Sequence, residues 1–330
     1  MLDTSTPMPE EGTMSAAEHF ADRVEAAIGR TGNAVVVGLD PRLESIPAAI
    51  LTACRARYGA TPQAAAEAVW QFNRAIIDAI HDVVPAVKPQ MAFYARYGVA
   101  GMGAFARTID YARQAGLLVI ADAKCNDIGS TAAAYAEAFL GRPTASAQTP
   151  ASDFAADALT VNAYLGSEGI QPFVTCAQQH GKGLFVLVKT SNPSSGELQD
   201  LPISGRPLYE HLGTMVAAWG KDCRGACGYS ALGAVVGATY PEQARRLRTL
   251  MPHTLFLVPG YGAQGATAAD VVGCFDHQGR GALITASRSI IFAYRLPPFV
   301  TQYGARAYAA AARAATQRMI QEIQQALERQ

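Results

Sequence analysis

Residues 117–131 read LLVIADAKCNDIGST, an apolar run followed at once by charged side chains. The run 117–121 predicts a strand of a parallel sheet that is buried on both faces. Because successive strand residues point to opposite faces, Asp122 and Lys124 are expected to project together at the carboxyl end of that strand. Opposite charges in one water-poor cleft keep each other ionised. The pair therefore indicates either a functional centre or a structural ion pair.

Similar apolar runs recur along the chain and alternate with amphipathic stretches. The predicted strands are 34–39, 85–88, 117–121, 158–161, 184–188, 233–237, 254–258 and 282–285. Helices are predicted between them at 62–81, 103–115, 130–140, 169–179, 209–223, 241–250 and 268–275. About eight strand–helix repeats favour an α/β fold, a closed (β/α)8 barrel of the TIM type, over an open doubly wound sheet. Extra helices are predicted before and after the repeats, at about 15–28 and 305–328.

The length and composition are those of a globular enzyme with a large core. The chain has 330 residues, of which 50% are hydrophobic and 16% charged, and α/β barrels of this length form one domain. We expect residues 1–14 to form a flexible N-terminal tail and 15–330 a single barrel catalytic domain. Two connections, 141–152 and 191–206, are long for barrel loops. The second leaves the carboxyl face of the barrel and is the predicted lid.

The charge balance and the cysteines exclude several functional classes. The formal net charge is zero, which gives no indication of a nucleic-acid or anionic membrane partner. No apolar run is long enough to span a bilayer, and residues 1–14 lack a signal-peptide pattern. The six cysteines are scattered without a CxxC pair. They predict reduced thiols in a cytoplasmic protein.

Charged and polar residues follow most of the predicted strands, where barrel enzymes place their chemistry. They are Asp40, Lys88, Asp122, Lys124, Asp127, Lys189, Ser191, Gln264 and Arg288. None of the six histidines stands at such a strand end. The Gly-rich turn 260–265 and Arg288 have the form of a phosphate site, since glycines let backbone N–H groups approach an anion and a guanidinium binds phosphate in a bidentate manner. A substrate with a phosphate group is therefore expected.

In this order the residues resemble the orotidine 5'-phosphate decarboxylase family, specifically its longer bacterial subgroup. The resemblance runs from residues 38–41 to residues 287–290, and its most specific element is Asp122-x-Lys124-x-x-Asp127-Ile128-x-x-Thr131. It implies a barrel homodimer with active sites shared between subunits. It also implies a carboxy-lyase that converts orotidine 5'-phosphate to UMP in pyrimidine biosynthesis with no metal or organic cofactor.

The resemblance further implies a role for each matching residue. The catalytic charge network would be Lys88, Asp122, Lys124 and Asp127, with Lys124 protonating a C6 carbanion. The substrate-binding residues would be Asp40 and Lys88 for the ribose, Ser191 for the pyrimidine, Gln264 between base and phosphate, and Arg288 for the phosphate. Asp127 and Thr131 would reach the partner subunit's site, and Ile128 beside them is expected to contact substrate.

Two positions depart from the family pattern, and three other functions stay open. Cys125-Asn126 stands where Arg-Gly is expected, and Ala163 where proline is expected; Asn126 could keep the turn because Asn tolerates a left-handed backbone. One alternative is a related barrel phosphosugar decarboxylase or isomerase that uses magnesium. A second is a Schiff-base aldolase that uses Lys124 or Lys189. A third is a non-catalytic barrel that binds nucleotides or a partner.

Overall fold

Eight apolar segments form the strands of one closed parallel barrel. The structure is a computed structural model that describes residues 18–143 and 150–329. The strands are β1 (Val35–Leu39), β2 (Ala86–Pro89), β3 (Leu118–Cys125), β4 (Ala158–Val161), β5 (Gly183–Lys189), β6 (Pro202–Ile203), β7 (Arg206–Pro207), β8 (Ser230–Val236), β9 (Thr254–Pro259) and β10 (Ala282–Ala286). Around the barrel the order is β1-β10-β9-β8-β5-β4-β3-β2, while β6 and β7 form a separate antiparallel hairpin. The predicted (β/α)8 barrel is confirmed.

Helices connect the strands and cover the barrel. They are α1 (Phe20–Thr31), α2 (Ala48–Tyr58), α3 (Pro62–Ile80), α4 (Ala92–Ala95), α5 (Gly98–Gln114), α6 (Gly129–Leu140), α7 (Gly166–Gln179), α8 (Gly196–Gln199), α9 (Leu208–Trp219), α10 (Pro241–Leu250), α11 (Ala268–Val271), α12 (Arg288–Ile291), α13 (Phe299–Gln302) and α14 (Tyr308–Glu328). Among the described helices none is both long and apolar enough to cross a membrane. The predicted tail, residues 1–14, lies outside the described part of the chain.

The N-terminal helix α1 closes the amino end of the barrel. Phe20 packs edge-on against Phe185 of β5, with ring centroids 6.1 Å apart. A Cβ atom on Gly183, the first residue of β5, would come within 2.1 Å of the Phe20 ring, so only glycine fits there. Gly32 ends the helix with φ of 69°, a conformation that glycine adopts without strain. The extra N-terminal helix is therefore confirmed, although it ends at Thr31 and not near residue 28.

Several segments differ from the predicted pattern. Helix α2 was not predicted, because its side chains show no continuous apolar face and Cys54 is its only buried residue. The predicted lid, residues 191–206, is largely regular: it contains a 3-10 turn (Pro193–Ser195), α8 and the first strand of the β6–β7 hairpin. Helix α9 ends at Trp219, four residues before the predicted end. The other long connection, 141–152, falls partly outside the described residues.

Arg248 on α10 ties together the amino ends of the last barrel strands. Its buried guanidinium donates hydrogen bonds to the carbonyls of Cys274, Met251, Thr254 and Gly281 at 2.8–3.0 Å. The guanidinium carbon also lies 3.6 Å from the ring centroid of Phe256. Burial lowers the pKa of Arg248 to about 10. Main-chain carbonyls thus provide the acceptors that this buried cation requires.

Replacing Arg248 should weaken the barrel measurably. Arg248→Met keeps the aliphatic stem but removes the side-chain donor from four carbonyls, of which those of Met251 and Gly281 keep a main-chain donor. We expect the free energy of unfolding to fall by about 2–4 kcal/mol. Urea unfolding followed by circular dichroism measures this. Arg245→Met on the same helix is the matched control, because Arg245 pairs with the exposed Glu242, and its effect should stay within about 0.5 kcal/mol. Equal effects of the two substitutions would contradict the proposed role of Arg248.

Candidate active site

The carboxyl ends of the barrel strands surround a cavity of about 540 Å³. Because all eight strands are parallel, their carboxyl ends meet at one face, and the polar residues that follow them converge there. The lining includes most of the residues predicted from the strand ends: Asp40, Lys88, Asp122, Lys124, Ser191 and Gln264. Thr160 on β4 joins them. A larger groove of about 640 Å³ runs between α6 and α7, outside the barrel and away from these charges.

Asp122 is the centre of the charged cluster. Its Oδ2 accepts a hydrogen bond from Lys88 Nζ at 2.5 Å, and its Oδ1 accepts one from Lys124 Nζ at 2.5 Å. Thr160 Oγ1 also donates to Oδ1, at 2.9 Å. Burial would raise the pKa of Asp122, but the two ammonium groups hold it well below its ordinary value. Asp122 is therefore a carboxylate throughout the neutral pH range.

Lys88 and Lys124 differ in their exposure to the cavity. The Lys88 side chain is only 9% exposed; burial opposes its charge, but Asp122 and Asp40 raise its pKa above the ordinary value. The Lys124 side chain is 44% exposed at the cavity. Lys88 is thus a fixed internal cation, whereas the Lys124 ammonium can contact a ligand while it remains next to Asp122.

The backbone of Lys124 departs from a regular strand. Its φ is 52°, a left-handed conformation that side-chain-bearing residues rarely adopt. The register between β3 and β4 shifts between Ala121 and Cys125. Within this irregularity the Lys124 N–H donates to Thr160 Oγ1 at 3.0 Å. Asp122 and Lys124 therefore do meet, as predicted from strand alternation, but through a distortion that the alternation does not contain.

Asp40 lies at the same face, behind Lys88. Burial raises the pKa of Asp40, and the nearby Lys88 ammonium opposes that effect. Its Oδ1 is buried and accepts no hydrogen bond from the part of the chain that the structure describes. A buried oxygen in this state is a ready acceptor for a ligand hydroxyl.

A second cavity of about 240 Å³ continues from the first and is lined in part by the same residues, including Asp40, Lys88 and Gln264. Arg288, Ser287 and the Gly-rich turn form its far end. Gly260, Gly262 and Gly265 all have positive φ, between 70° and 110°, which explains the need for glycine in this turn. The combined cleft can accommodate an elongated ligand with an anionic end near Arg288.

Thr160 and Arg42 are among the cleft residues that were missed from the sequence. Thr160 was hidden inside the apolar run of β4. Arg42 lines the smaller cavity, its guanidinium carbon lies 5.5 Å from the Phe93 ring centroid, and its buried Nε has no hydrogen-bond partner among the described residues. Its position two residues after Asp40, at the end of β1, was the available signal.

Asp127, Ile128 and Thr131 do not line either cavity. Asp127 Oδ1 instead accepts a hydrogen bond from the Ile128 N–H at 2.9 Å. Ile128 is 47% exposed, and Thr131 is exposed on the first turn of α6. Within one protomer these three residues therefore stand apart from Lys88, Asp122 and Lys124. In the described residues there is also no cluster of three His, Cys, Asp or Glu side chains that could hold a metal ion.

Comparisons with known proteins agree with this arrangement. The family model of the orotidine 5'-phosphate decarboxylase / HUMPS family matches residues 33–297. The chain belongs to this family. It is 46% identical over 304 residues to an orotidine 5'-phosphate decarboxylase of Rhodopirellula baltica, covering 92% of this chain and 98% of the relative. A relative of the same name from Caldicellulosiruptor saccharolyticus is 39% identical, and the match covers 84% of this chain and 90% of the relative.

Solved structures support the same relationship. The Leishmania donovani OMP decarboxylase superimposes with a TM-score of 0.68 at 30% identity, over 94% of this chain and 99% of that one. The Leishmania donovani UMP synthase gives a TM-score of 0.72 at 32% identity, over 94% of this chain but 57% of that longer one. The barrel thus corresponds to the whole of one protein and to part of the other.

The unexpected pair Cys125-Asn126 directly follows Lys124. Burial raises the pKa of Cys125 to about 11, so a neutral thiol occupies the position where the resemblance led us to expect arginine. The expectation that Asn126 takes a left-handed backbone is wrong. The positive φ falls on Lys124 instead, because the Lys124 N–H is drawn to Thr160 Oγ1 across the strand pair.

Thr160 should be needed to keep the cluster in place. Thr160→Val removes two hydrogen bonds: the one that the hydroxyl donates to Asp122 and the one that it accepts from the Lys124 N–H. We therefore expect the free energy of unfolding to fall by about 1–3 kcal/mol. Thr160→Ser retains the hydroxyl and should stay close to the unsubstituted chain. Urea unfolding of the two variants decides this, and a valine variant as stable as the serine variant would argue against the role.

Proposed function

We propose that the chain is a carboxy-lyase that decarboxylates orotidine 5'-phosphate to UMP in de novo pyrimidine biosynthesis, with no metal or organic cofactor. Family membership and the names of the relatives support this reaction. The observation that carries the proposal is the Lys88–Asp122–Lys124 cluster at the wall of a cleft with an arginine at its far end. The cleft provides cations at the two places where this substrate is anionic.

Lys124 is proposed as the proton donor. Loss of CO2 from C6 of the pyrimidine leaves a carbanion, and a preorganised ammonium is the group best suited to stabilise it and then to protonate it. The Lys124 ammonium is exposed to the cavity and held by Asp122 at 2.5 Å. Its proton would pass to C6 as the C–CO2 bond electrons become the new C–H bond.

Asp122 and Lys88 are proposed to set the charge around Lys124. The Asp122 carboxylate would lie next to the carboxylate of the substrate and disfavour the bound ground state by repulsion. Lys88 would keep Asp122 ionised, since its ammonium contacts the other carboxylate oxygen. Together they hold Lys124 in place before the reaction, so that little reorganisation is required when negative charge develops.

The remaining predicted residues would bind the substrate. Asp40 and Lys88 would contact the ribose hydroxyls, Ser191 the pyrimidine, Gln264 the base and phosphate, and Arg288 the phosphate. This assignment is supported by the order of the residues along the continuous cleft, from Ser191 at one end through Gln264 to Arg288 at the other. Remote binding of the phosphate can then orient the base against Lys124.

A homodimer is part of the proposal. Ile128 and Thr131 are exposed and Asp127 is half-buried, all three outside their own cavity, which is the position required if they complete the site of a second copy. Apolar side chains near them are also exposed, among them Tyr135 at 42% and Tyr164 at 78%. Exposed aromatic residues of this kind favour a protein interface. Asp127 would then join the Lys88–Asp122–Lys124 network of the partner.

We also propose that residues 15–330 form one catalytic domain in the cytoplasm, with a small-molecule substrate and no nucleic-acid or membrane partner. The six free cysteines support a reducing compartment. The barrel and its closing helices, from α1 to α14, support the single domain, because the C-terminal α14 packs against α3 and β1.

The competing functions are less well supported. A Schiff base on Lys189 is unsuited to the geometry, because its side chain is fully buried and paired with Asp200. The family name also includes the HUMPS group, which keeps a metal-dependent phosphosugar reaction as the second candidate. A chelator distinguishes it from the proposed reaction.

The first test is decarboxylation of orotidine 5'-phosphate, followed by the change in ultraviolet absorbance, with and without EDTA. We expect turnover that EDTA does not change. Lys124→Ala should reduce kcat at least about 10⁴-fold by removing the acid and its charge, while UMP still binds by calorimetry. Loss of activity with EDTA would favour the phosphosugar class, and near-normal turnover by Lys124→Ala would exclude it as the acid.

Shared active sites can be tested by mixing two inactive variants. In a Lys124→Ala and Asp127→Ala mixture, each mixed dimer has one site in which both residues are intact. After random subunit exchange at equal concentrations, about a quarter of the sites should be complete, with a corresponding share of activity. Lys124→Ala mixed with Asp122→Ala is the matched control. If Asp122 acts within its own protomer, both sites of each mixed dimer lack one of the two residues, so no site is complete. No recovery in the first mixture would place Asp127 outside the partner's site.

A further inference from the structure

Strand β5 has a lysine of low exposure at each end, with side-chain exposure of 12% for Lys182 and 0% for Lys189. Lys182 immediately precedes the strand and its Nζ lies 3.4 Å from Asp157 Oδ1, at the amino end of the barrel. Lys189 is the last residue of the strand, and its Nζ donates to Asp200 Oδ1 at 2.8 Å, at the carboxyl end. The two ion pairs have similar chemistry, but only the second is next to the cleft. Residues at the carboxyl face of a barrel usually serve the site and those at the amino face stability.

The Lys189 ammonium is enclosed completely. Its side chain is 0% exposed, while that of Asp200 is 37% exposed. The Nζ atom also lies 4.3 Å from the ring centroid of Tyr240 and 5.8 Å from that of Tyr209. A buried cation is costly without its counter-ion, so Asp200 is held to the end of β5. Gln243 Nε2 adds a longer contact to the same carboxylate oxygen, at 3.4 Å.

The segment between Lys189 and Asp200, residues 190–199, forms one wall of the 540 Å³ cavity at the carboxyl face of the barrel. Its lining residues are Thr190, Ser191, Asn192, Ser194, Ser195, Leu198 and Gln199. Lys189 is not among the lining residues, so it lies behind the wall and does not face a ligand. The ion pair therefore joins the two ends of a polar segment that lines the same cavity as Lys124.

Further contacts make this wall rigid. Gln199 Oε1 accepts a hydrogen bond from the Thr190 N–H at 2.9 Å, and Gln199 Nε2 donates to Thr190 Oγ1 at 2.8 Å. Thr239 Oγ1 donates to the Ser191 carbonyl at 3.1 Å. A Cβ atom on Gly237 would come within 2.7 Å of Ser191 Cα, so the segment sits directly against the end of β8. The wall is thus closed at its base and supported from behind.

We propose that Lys189 is a positioning residue for nucleobase recognition: its buried ion pair with Asp200 fixes the wall 190–199 that holds the base against Lys124. The inference rests on the proposed function. The hydroxyl and amide groups of the wall suit the carbonyl and N–H groups of a pyrimidine, whereas the phosphate end of the cleft is built by other strands. Loss of Lys189 should therefore weaken binding through the base and leave binding of ribose and phosphate unchanged.

The test compares the two ends of β5 in the full chain. Lys189→Met and Lys182→Met each remove an ammonium that is paired with an aspartate at one end of β5. Calorimetry measures the affinity for UMP and for ribose 5-phosphate, which lacks the base. For Lys189→Met we expect UMP affinity to fall by about tenfold or more and ribose 5-phosphate affinity to stay within about twofold. For Lys182→Met both affinities should be unchanged, with only the stability to urea reduced. Asp157 keeps its hydrogen bond from Arg23 in that control.

Asp200→Asn keeps the proposal falsifiable if Lys189→Met does not fold. Because Asp200 is partly exposed, its amide variant retains most of the packing, and it should show the same selective loss of UMP affinity. In the double variant the loss should be no greater than in the worse single one. Equal losses for UMP and ribose 5-phosphate, or unchanged UMP affinity in Asp200→Asn, would overturn the proposal. A different result is possible: the unsubstituted chain shows no turnover, but the variants still lose UMP affinity selectively. That result would refute only the proposed reaction.

Discussion

The site depends on one buried carboxylate that contacts two ammonium groups. Removing a carboxylate from water is costly unless charge and hydrogen bonds compensate for it, and Asp122 receives both from Lys88, Lys124 and Thr160. These donors come from β2, β3 and β4, which are neighbours in the barrel. The parallel register of three strands therefore sets the distances in the cluster. A barrel that shifted by one residue would separate the charges and leave Asp122 uncompensated.

The same contacts stabilise an unfavourable backbone conformation at Lys124. A left-handed φ at a residue with a side chain costs about 1–2 kcal/mol, and such strain persists where surrounding interactions determine it and often where function requires it. At Lys124 the N–H bonds to Thr160 and the ammonium bonds to Asp122. The distortion turns the side chain toward the cleft at a point where a regular strand would continue past it. The geometry of the proposed acid thus follows from the polar residue on the neighbouring strand.

The sequence allowed the barrel and most of the cleft to be predicted because both follow from local patterns. Apolar runs mark buried parallel strands, and charges directly after them mark the carboxyl face, which located Asp40, Lys88 and Arg288. Thr160 escaped because a single polar residue inside an apolar strand looks like a packing residue until its neighbour across the sheet is known. Asp127 belongs to the same motif as Lys124 but lies outside the cluster, because the chain turns into α6 at that point. The sequence pattern of one chain does not show whether a surface residue contributes to its own cavity or to the cavity of a second copy.

The cations discussed above are compensated in three ways, and the differences indicate their roles. Arg248 is surrounded by main-chain carbonyls, whose positions the fold already fixes. Its guanidinium donors are used by these carbonyls, so Arg248 stabilises the fold and does not bind a ligand. Lys189 has its own aspartate, and that pairing joins two parts of the chain. Lys88 and Lys124 share Asp122, and Asp40 lies close to Lys88 at the same face. Because Lys124 is the partly exposed member of this cluster, its ammonium is available to an anionic ligand, and this makes the shared carboxylate a better indication of chemistry than either salt bridge alone.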